Sequence, residues 1–202
     1  MKASKGSAFE RQICKELSLW WSGGERTDVF WRSSQSGGRA KLRGRKGKDT
    51  YGQHGDITAT DPIGTPLTEL VTIELKRGYN KASIQDMIDK GPKAALQQWE
   101  KWFLQTYESM KQAKTWAWML ITKRDQRLPL VHVPARLLQK LGADFEPIPG
   151  SVMHIEVEGR DLFVCTFQLQ EWFEEIDPKR IEVLSRKYKR RKKHVSSKSK
   201  ET

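Results

Sequence analysis

The sequence predicts an α/β fold: a mixed β-sheet core flanked by helices, extended by a C-terminal β-hairpin and helix and by a basic tail. Three patterns support this prediction. The chain opens with the spacing of an amphipathic helix, continues with two segments that alternate with period two, and then has a long helical pattern followed by an apolar strand. Elements in the order β-β-α-β suit a mixed sheet with helices packed against it.

The first predicted element is an amphipathic helix. Its apolar stripe recurs with helical spacing at Phe9, Ile13, Leu17 and either Trp20 or Trp21. Glu10 lies beside this stripe. A glutamate in the first turns of a helix is usually a surface residue that the helix dipole favours, so the pattern alone gives Glu10 no special role.

A β-hairpin is predicted next. Segments 55–60 and 70–76 alternate with period two, and the residues between them are rich in turn formers. A turn centred near Thr65 places Asp56 opposite Glu74 and Thr58 opposite Thr72, with Lys76 one pleat beyond Glu74 on the same face. The residues predicted to enter the core from the other face are Ile57, Ala59, Val71, Ile73 and Leu75.

Two carboxylates at opposed positions repel each other and cost stability unless a cation lies between them. Their hard oxygens suit Mg²⁺ or Mn²⁺, and Mg²⁺ usually takes one or two carboxylates while keeping waters and substrate phosphate oxygens. Lys76 is then placed to orient or help deprotonate an attacking water, or to stabilise developing charge. Alternatively, Glu74 and Lys76 are an ordinary exposed ion pair on an edge strand. This alternative has weight because Glu-x-Lys is a common tripeptide.

These residues resemble the signature of the PD-(D/E)xK nuclease superfamily, with Gly55-Asp56 and Ile73-Glu74-Leu75-Lys76 carrying the match. Upstream, residues 5–11 and 30–38 are similar to the opening helix and first strand of archaeal-type Holliday-junction resolvases. The similarity covers roughly residues 4–77 and continues more weakly through the following helix and strand. It implies a restriction-endonuclease-like sheet. Some phage-encoded nucleases resemble the whole arrangement, including the Trp-rich segment after Lys76.

The resemblance implies roles for individual residues. Glu10 and Ser36 are expected to join the active site, and a homodimer is expected because resolvases cut two symmetric strands. Asp56 and Glu74 are expected to bind the metal, with the Leu75 backbone carbonyl completing its shell and Lys76 positioning the nucleophile. The chain departs from the pattern in two places: the aspartate follows Gly rather than Pro, and a long basic insert precedes it.

Charge predicts a polyanionic partner. The net charge is +12 and the pI is about 9.7, for which nucleic acid is the commonest explanation. The insert at 37–48 alternates glycine and cations, so a mobile loop that clamps DNA phosphates is expected. The residues expected to bind DNA are Arg32, Arg39, Lys41, Arg43, Arg45, Lys46 and Lys48.

The remaining elements follow from periodicity and turn residues. The predicted helices span 83–89, 93–114, 135–141 and 169–176, and the predicted strands span 116–122, 130–134, 153–158 and 162–167. The tryptophans fall at helical or strand spacing, which favours core packing over base stacking. One domain is expected over 1–180, with its core at about 4–135, an addition at about 136–180, and a disordered basic tail at 181–202.

Several classes of protein are disfavoured. Cys14 and Cys165 lack the number and spacing of a disulfide framework or a zinc site. The sequence has no phosphate-binding Gly-x-x-x-x-Gly-Lys loop and no nucleophile elbow, which argues against an NTPase or an acyl-transfer enzyme. No apolar run is long enough for a signal peptide or a membrane span. The protein is therefore expected to be cytoplasmic, in a bacterial or phage-infected host cell.

The predicted function is a metal-dependent DNA endonuclease that hydrolyses phosphodiester bonds by in-line attack of water. A structure-selective, junction-resolving enzyme is favoured on the resemblance of the first seventy or so residues. The expected partner is DNA, either branched or duplex. The alternatives are a sequence- or end-dependent phage DNA nuclease of the same superfamily, and a nucleic-acid-binding protein that keeps the fold without catalysis.

Overall fold

The computed structural model describes residues 5–33, 55–91, 93–142 and 151–198. The helices are α1 (Lys5–Trp21), α2 (Thr65–Leu70), α3 (Gln85–Ile88), α4 (Gln98–Ala113), α5 (Ala135–Leu141), α6 (Leu169–Glu175) and α7 (Pro178–Lys198), with a 3₁₀ turn at Pro62–Gly64. The strands are β1 (Phe30–Arg32), β2 (Ile57–Ala59), β3 (Val71–Arg77), β4 (Ala117–Lys123), β5 (Leu130–Pro134), β6 (Ser151–Val157) and β7 (Arg160–Gln168).

The central sheet is mixed and has five strands in the order β3-β4-β5-β7-β6. Strand β3 runs parallel to β4, with Glu74 paired to Leu120, and the other neighbours are antiparallel. Strands β1 and β2 form a separate antiparallel pair. The predicted α/β class is confirmed, as is the position of the strand after α4 beside β3.

Helices cover both faces of the sheet, and β4 shows the division. Met119 and Ile121 enter the larger core, which contains the apolar stripe of α1, whereas Trp118 and Leu120 enter a second core beneath α4. The stripe of α1 is buried as predicted, with Trp21 as its last member. The described tryptophans Trp99, Trp102 and Trp118 are buried in the second core, which confirms the packing role predicted for them.

The predicted β-hairpin is wrong. Strand β2 pairs with β1, so Thr58 lies opposite Trp31 and not opposite Thr72. The Thr72 hydroxyl instead lies 2.7 Å from the Thr115 hydroxyl. Asp56 nevertheless reaches β3 through its own backbone, because its N–H donates to the Ile73 carbonyl at 2.8 Å.

The connection between β2 and β3 is helical. The Asp61 side chain accepts a hydrogen bond from the Ile63 N–H and caps the 3₁₀ turn, and α2 follows at once with Pro66 near its start, where a missing N–H costs nothing. Leu67 and Leu70 are both fully buried at a spacing of three. This pair has helical periodicity, but it is too short to stand out beside the alternating residues of β3.

The C-terminal elements follow the prediction up to α6. Helix α5 has the predicted bounds and ends at Gly142, whose φ of 62° is left-handed. The β6–β7 hairpin turns at Glu158 and Gly159, with φ of 50° and 71°, one residue earlier than predicted.

The predicted disorder of the basic tail is wrong for residues 181–198, which belong to α7. Ile181 and Ser185 of this helix are buried, and its Lys189 forms an ion pair with Glu69 of α2. The many cations of this segment obscured its few apolar residues, such as Ile181, which pack against the rest of the domain. None of the helices in the described ranges is long and apolar enough to cross a membrane.

Candidate active site

Asp56 lies between the small sheet and the edge of the large one. Its carbonyl accepts a hydrogen bond from the Ser33 N–H at 2.9 Å, which continues the β1–β2 ladder by one step. Its N–H donates to Ile73, and its Oδ2 accepts from the Leu75 N–H at 2.7 Å. Backbone contacts to both sheets therefore fix the position of this carboxylate.

Gly55 makes this approach possible. Its φ is +84°, and a Cβ at this position would lie 2.7 Å from the Ile73 carbonyl oxygen and 3.1 Å from the Thr72 Cγ2. Both the left-handed backbone and the lack of space require glycine. The departure from Pro at this position therefore has a local physical reason.

Glu74 and Lys76 lie on the face of β3 that α4 covers. Glu74 is only 5% exposed, and its Oε2 is 3.4 Å from the Lys76 Nζ. The same oxygen accepts a 3.4 Å hydrogen bond from Gln105 Nε2 on α4. The expected placement of Lys76 beside Glu74 is confirmed, but the two residues lie beneath a helix and do not form an exposed pair on a bare strand.

The pKa of Asp56 is raised by its surroundings. Burial raises the pKa of Asp56 to about 7, and the negative charge of Glu74 contributes in the same direction. The hydrogen bond from Leu75 and the charge of Lys76 oppose these effects without cancelling them. The two carboxylates therefore form a site whose negative charge the protein does not fully neutralise, which favours binding of a cation.

The Leu75 backbone faces the same edge as Asp56. Within a strand, the N–H and C=O of one residue point toward the same neighbouring chain. Because the Leu75 N–H donates to Asp56, its carbonyl oxygen also points to this side, away from β4. Two carboxylates and a carbonyl oxygen are thus brought to one edge of the sheet.

Glu10 on α1 also belongs to this region. It forms an ion pair with Arg32 Nε, and its charge helps to raise the pKa of Asp56. Burial, followed by the charge of Glu10, raises the pKa of the neighbouring Cys14 thiol to about 12. Cys14 is therefore a neutral core residue, and Cys165 is likewise buried and free.

A family model described as "Phage putative PDDEXK endonuclease" matches residues 1–182. The chain belongs to this endonuclease family. The match extends the resemblance well beyond the first seventy or so residues, through α6 and into the first turn of α7. No curated protein and no solved structure is significantly similar to the chain.

The restriction-endonuclease-like fold and the phage-nuclease resemblance are confirmed by the family and by the sheet. Nucleases of the PD-(D/E)xK type generally use divalent metal ions. In the described ranges no cluster of three or more His, Cys, Asp or Glu side chains could hold a metal. Two carboxylates with a backbone carbonyl still fit Mg²⁺, which keeps several waters and substrate oxygens in its shell.

The structure thus brings Asp56, Glu74 and Lys76 together and places Glu10 nearby. Ser36 and the six cations of the basic insert lie outside the described residues. Gln105 is a further contact of the site, and the sequence motif does not include it. Gln105 lies between Trp102 and Thr106, two buried residues of α4, and this position in the sequence is consistent with a side chain that reaches the sheet.

Proposed function

We propose that this member of the phage endonuclease family is a divalent-metal-dependent DNA endonuclease that acts inside an infected bacterial cell. One observation supports the proposal. Asp56 and Glu74 lie close together beside Lys76, and the negative charge of the two carboxylates is only partly compensated. Mg²⁺ or Mn²⁺ fits the oxygen donors. DNA as substrate follows from the nuclease family.

The residues have distinct roles in this proposal. Asp56 and Glu74 would hold the metal together with the Leu75 carbonyl. When bound, the metal supplies Lewis-acid stabilisation of phosphate charge and a more acidic water. Lys76 orients the water that attacks phosphorus in line with the leaving oxygen, and its charge stabilises the phosphorane. Gln105 holds the Glu74 carboxylate in place through its 3.4 Å contact.

Glu10 and Arg32 form the outer part of the site. Their ion pair sits within electrostatic reach of Asp56, which supports a role for Glu10 in holding a metal-bound or attacking water. Arg32 is then available to a phosphate whenever DNA competes with Glu10 for it. Ser36 and the cations of the insert, from Arg39 to Lys48, remain proposed contributors because they follow Arg32 in the chain and add positive charge.

A preference for branched DNA is part of the proposal. It is supported by the similarity of residues 5–11 and 30–38 to junction resolvases. A homodimer would suit this substrate, because two symmetric strands must be cut.

One assay tests both levels of the proposal. Purified protein with Mg²⁺ or Mn²⁺ is incubated with four-way junction, flap, linear duplex and single-stranded DNA of one sequence. The expected result is cleavage that EDTA and Asp56→Ala abolish, with paired nicks in the junction in preference to the duplex. Equal rates on junction and duplex would reject structure selection alone. Binding without cleavage of any substrate would indicate a catalytically silent nucleic-acid-binding protein.

A further inference from the structure

A cavity of about 600 Å³ opens beside the candidate active site. Lys76 lines it, so the cavity begins at a residue of the site itself. Its walls come from the segment after β3, from α3 and α4, and from the turn between β4 and β5. Its volume is in the range of sites that hold a small organic molecule or a nucleotide.

The charge of the cavity is one-sided. Lys123, Arg124 and Arg127 line it in addition to Lys76. Among the residues that the structure describes, no aspartate or glutamate is part of the lining. Asp125 lies in the same turn but is engaged elsewhere, since its carboxylate contacts Arg77 and Asn80. This distribution suits an anionic group such as a phosphate.

Tyr79 is one of the residues that line the cavity. It is 55% exposed, although large aromatic residues are usually buried, and its φ of 56° is uncommon for a bulky side chain. Its ring packs at 78° against Trp102, with the centroids 5.0 Å apart. An exposed aromatic held in an unfavourable backbone conformation is a reason to look for function.

The surrounding backbone holds Tyr79 in place. The Gly78 N–H donates to the Lys123 carbonyl at 3.0 Å, and the Asn80 side chain accepts from the Asp125 N–H at 2.9 Å. Within the β4–β5 turn, Gln126 also has a positive φ of 58°. Two segments with unusual backbone conformations are thus tied to each other at the cavity wall.

The rest of the lining offers surfaces for a base. Ile88 and Leu128 are largely exposed apolar side chains, and the buried Trp99 Nε1 has no hydrogen-bond partner within the described ranges. A nucleotide combines a flat ring with an anion. Proteins that bind single-stranded nucleic acid combine aromatic and apolar surface, on which bases stack, with cations that contact the phosphates.

We propose that this cavity holds one unpaired nucleotide of the DNA strand that passes through the active site. Its base stacks on Tyr79, and Lys123, Arg124 and Arg127 contact the phosphates that flank it. A base within a duplex has both faces covered by its neighbours, so only an unpaired or extruded base can stack on the ring. The inference rests on the proposed function for the path of the strand, and it names the substrate feature that this enzyme recognises.

The test measures binding separately from cleavage. Full-length Asp56→Ala protein without metal is titrated into labelled duplex DNA, either fully paired or with one unpaired nucleotide, and anisotropy is recorded. The expected preference for the unpaired DNA is on the order of tenfold, the scale of one aromatic stack. Tyr79→Ala should remove this preference, whereas Tyr79→Phe should keep it. Phe163→Ala is a matched control, since Phe163 is a comparably exposed aromatic residue (54%) that does not line the cavity, and this variant should keep the preference as well.

Two further variants separate stacking from folding and from charge. Tyr79→Gly removes the ring but adopts the positive φ without strain, so a folded protein that lacks the preference is expected. Replacing Lys123, Arg124 and Arg127 with Ala should weaken binding to both DNAs and lower the salt dependence of affinity.

Equal affinity of the Asp56→Ala protein for the two DNAs would overturn the inference, as would an unchanged preference in folded Tyr79→Gly. Neither result bears on nuclease activity. Conversely, a protein that never cleaves but still prefers the unpaired nucleotide would refute the proposed function and leave this inference in place.

Discussion

Two buried polar clusters, one around His132 and the other around Asp56 and Glu74, differ in whether the protein pairs all of their polar groups. His132 on β5 is fully buried, and its ring nitrogens lie 3.0 Å from the Thr122 hydroxyl and 2.8 Å from the Thr166 hydroxyl. Burial lowers its pKa to about 3, so the imidazole is neutral. A neutral imidazole has one donor and one acceptor nitrogen, and a hydroxyl can act as donor or acceptor. Both ring nitrogens are therefore hydrogen-bonded.

The Asp56–Glu74 cluster lacks this balance. Its groups carry like charge, and the pKa of Asp56 is raised to about 7 although Lys76 is close by. A cluster whose polar groups are all paired within the protein is complete and stabilises the fold, whereas a cluster with unbalanced charge is incomplete, costs stability and marks a candidate ligand site. This difference indicates a structural role for His132 and supports the proposed metal-binding role of Asp56 and Glu74.

The largest expected effect breaks the incomplete cluster. Glu74→Gln keeps the shape of the side chain but removes a charge, so cleavage should fall by ~10²-fold or more while DNA affinity changes little. Single-turnover cleavage and binding of the same DNA measure the two effects. Thr166→Val is the control from the complete cluster, and its cleavage rate should stay near that of the wild type. A wild-type rate in Glu74→Gln would remove the proposed site.

The next effect is acid sensitivity from the complete cluster. The pKa of His132 is lowered from 6.5 to about 3 in the folded protein, so the unfolded chain takes up the proton first. Stability should therefore fall as the pH drops below 6.5 toward 3, by several kcal/mol in total for this group. Denaturant unfolding across this range should show a shallower decline for His132→Gln. The same decline in both proteins would contradict the assignment.

The smallest effect is a gain in stability at the incomplete cluster. The pKa of Asp56 is raised in the folded protein, so its destabilising effect is absent at low pH and grows as the pH rises from 3.8 through about 7. Without metal at pH ~8, Asp56→Asn should be more stable than the wild type by about 1 kcal/mol or more. The difference should vanish near pH ~4, and Mg²⁺ should stabilise only the wild type. A less stable Asp56→Asn at pH ~8 would show that the charge is already compensated.

The sequence by itself determined the elements whose residues interact locally. Periodicity and turn residues predict the stripe of α1, the bounds of α5 and the apolar strands β4 and β5. Each of these patterns depends on residues that are close together in the sequence. The spacing and residue types of Asp56, Glu74 and Lys76 form a recognisable motif, so the sequence predicts that these three residues lie together. The packing of the tryptophans followed for the same reason as that of the helices.

Tertiary structure decided how those residues meet. Asp56 contacts β3 through one hydrogen bond from its N–H and one to its carboxylate, while the strand that follows it pairs with β1. Alternation cannot distinguish between these two strand partners. The contact of Gln105 with Glu74 spans 31 residues, and α7 is ordered because Ile181 is buried against the rest of the domain. Such contacts depend on which surfaces the whole chain brings together, and so a local pattern of residues does not specify them.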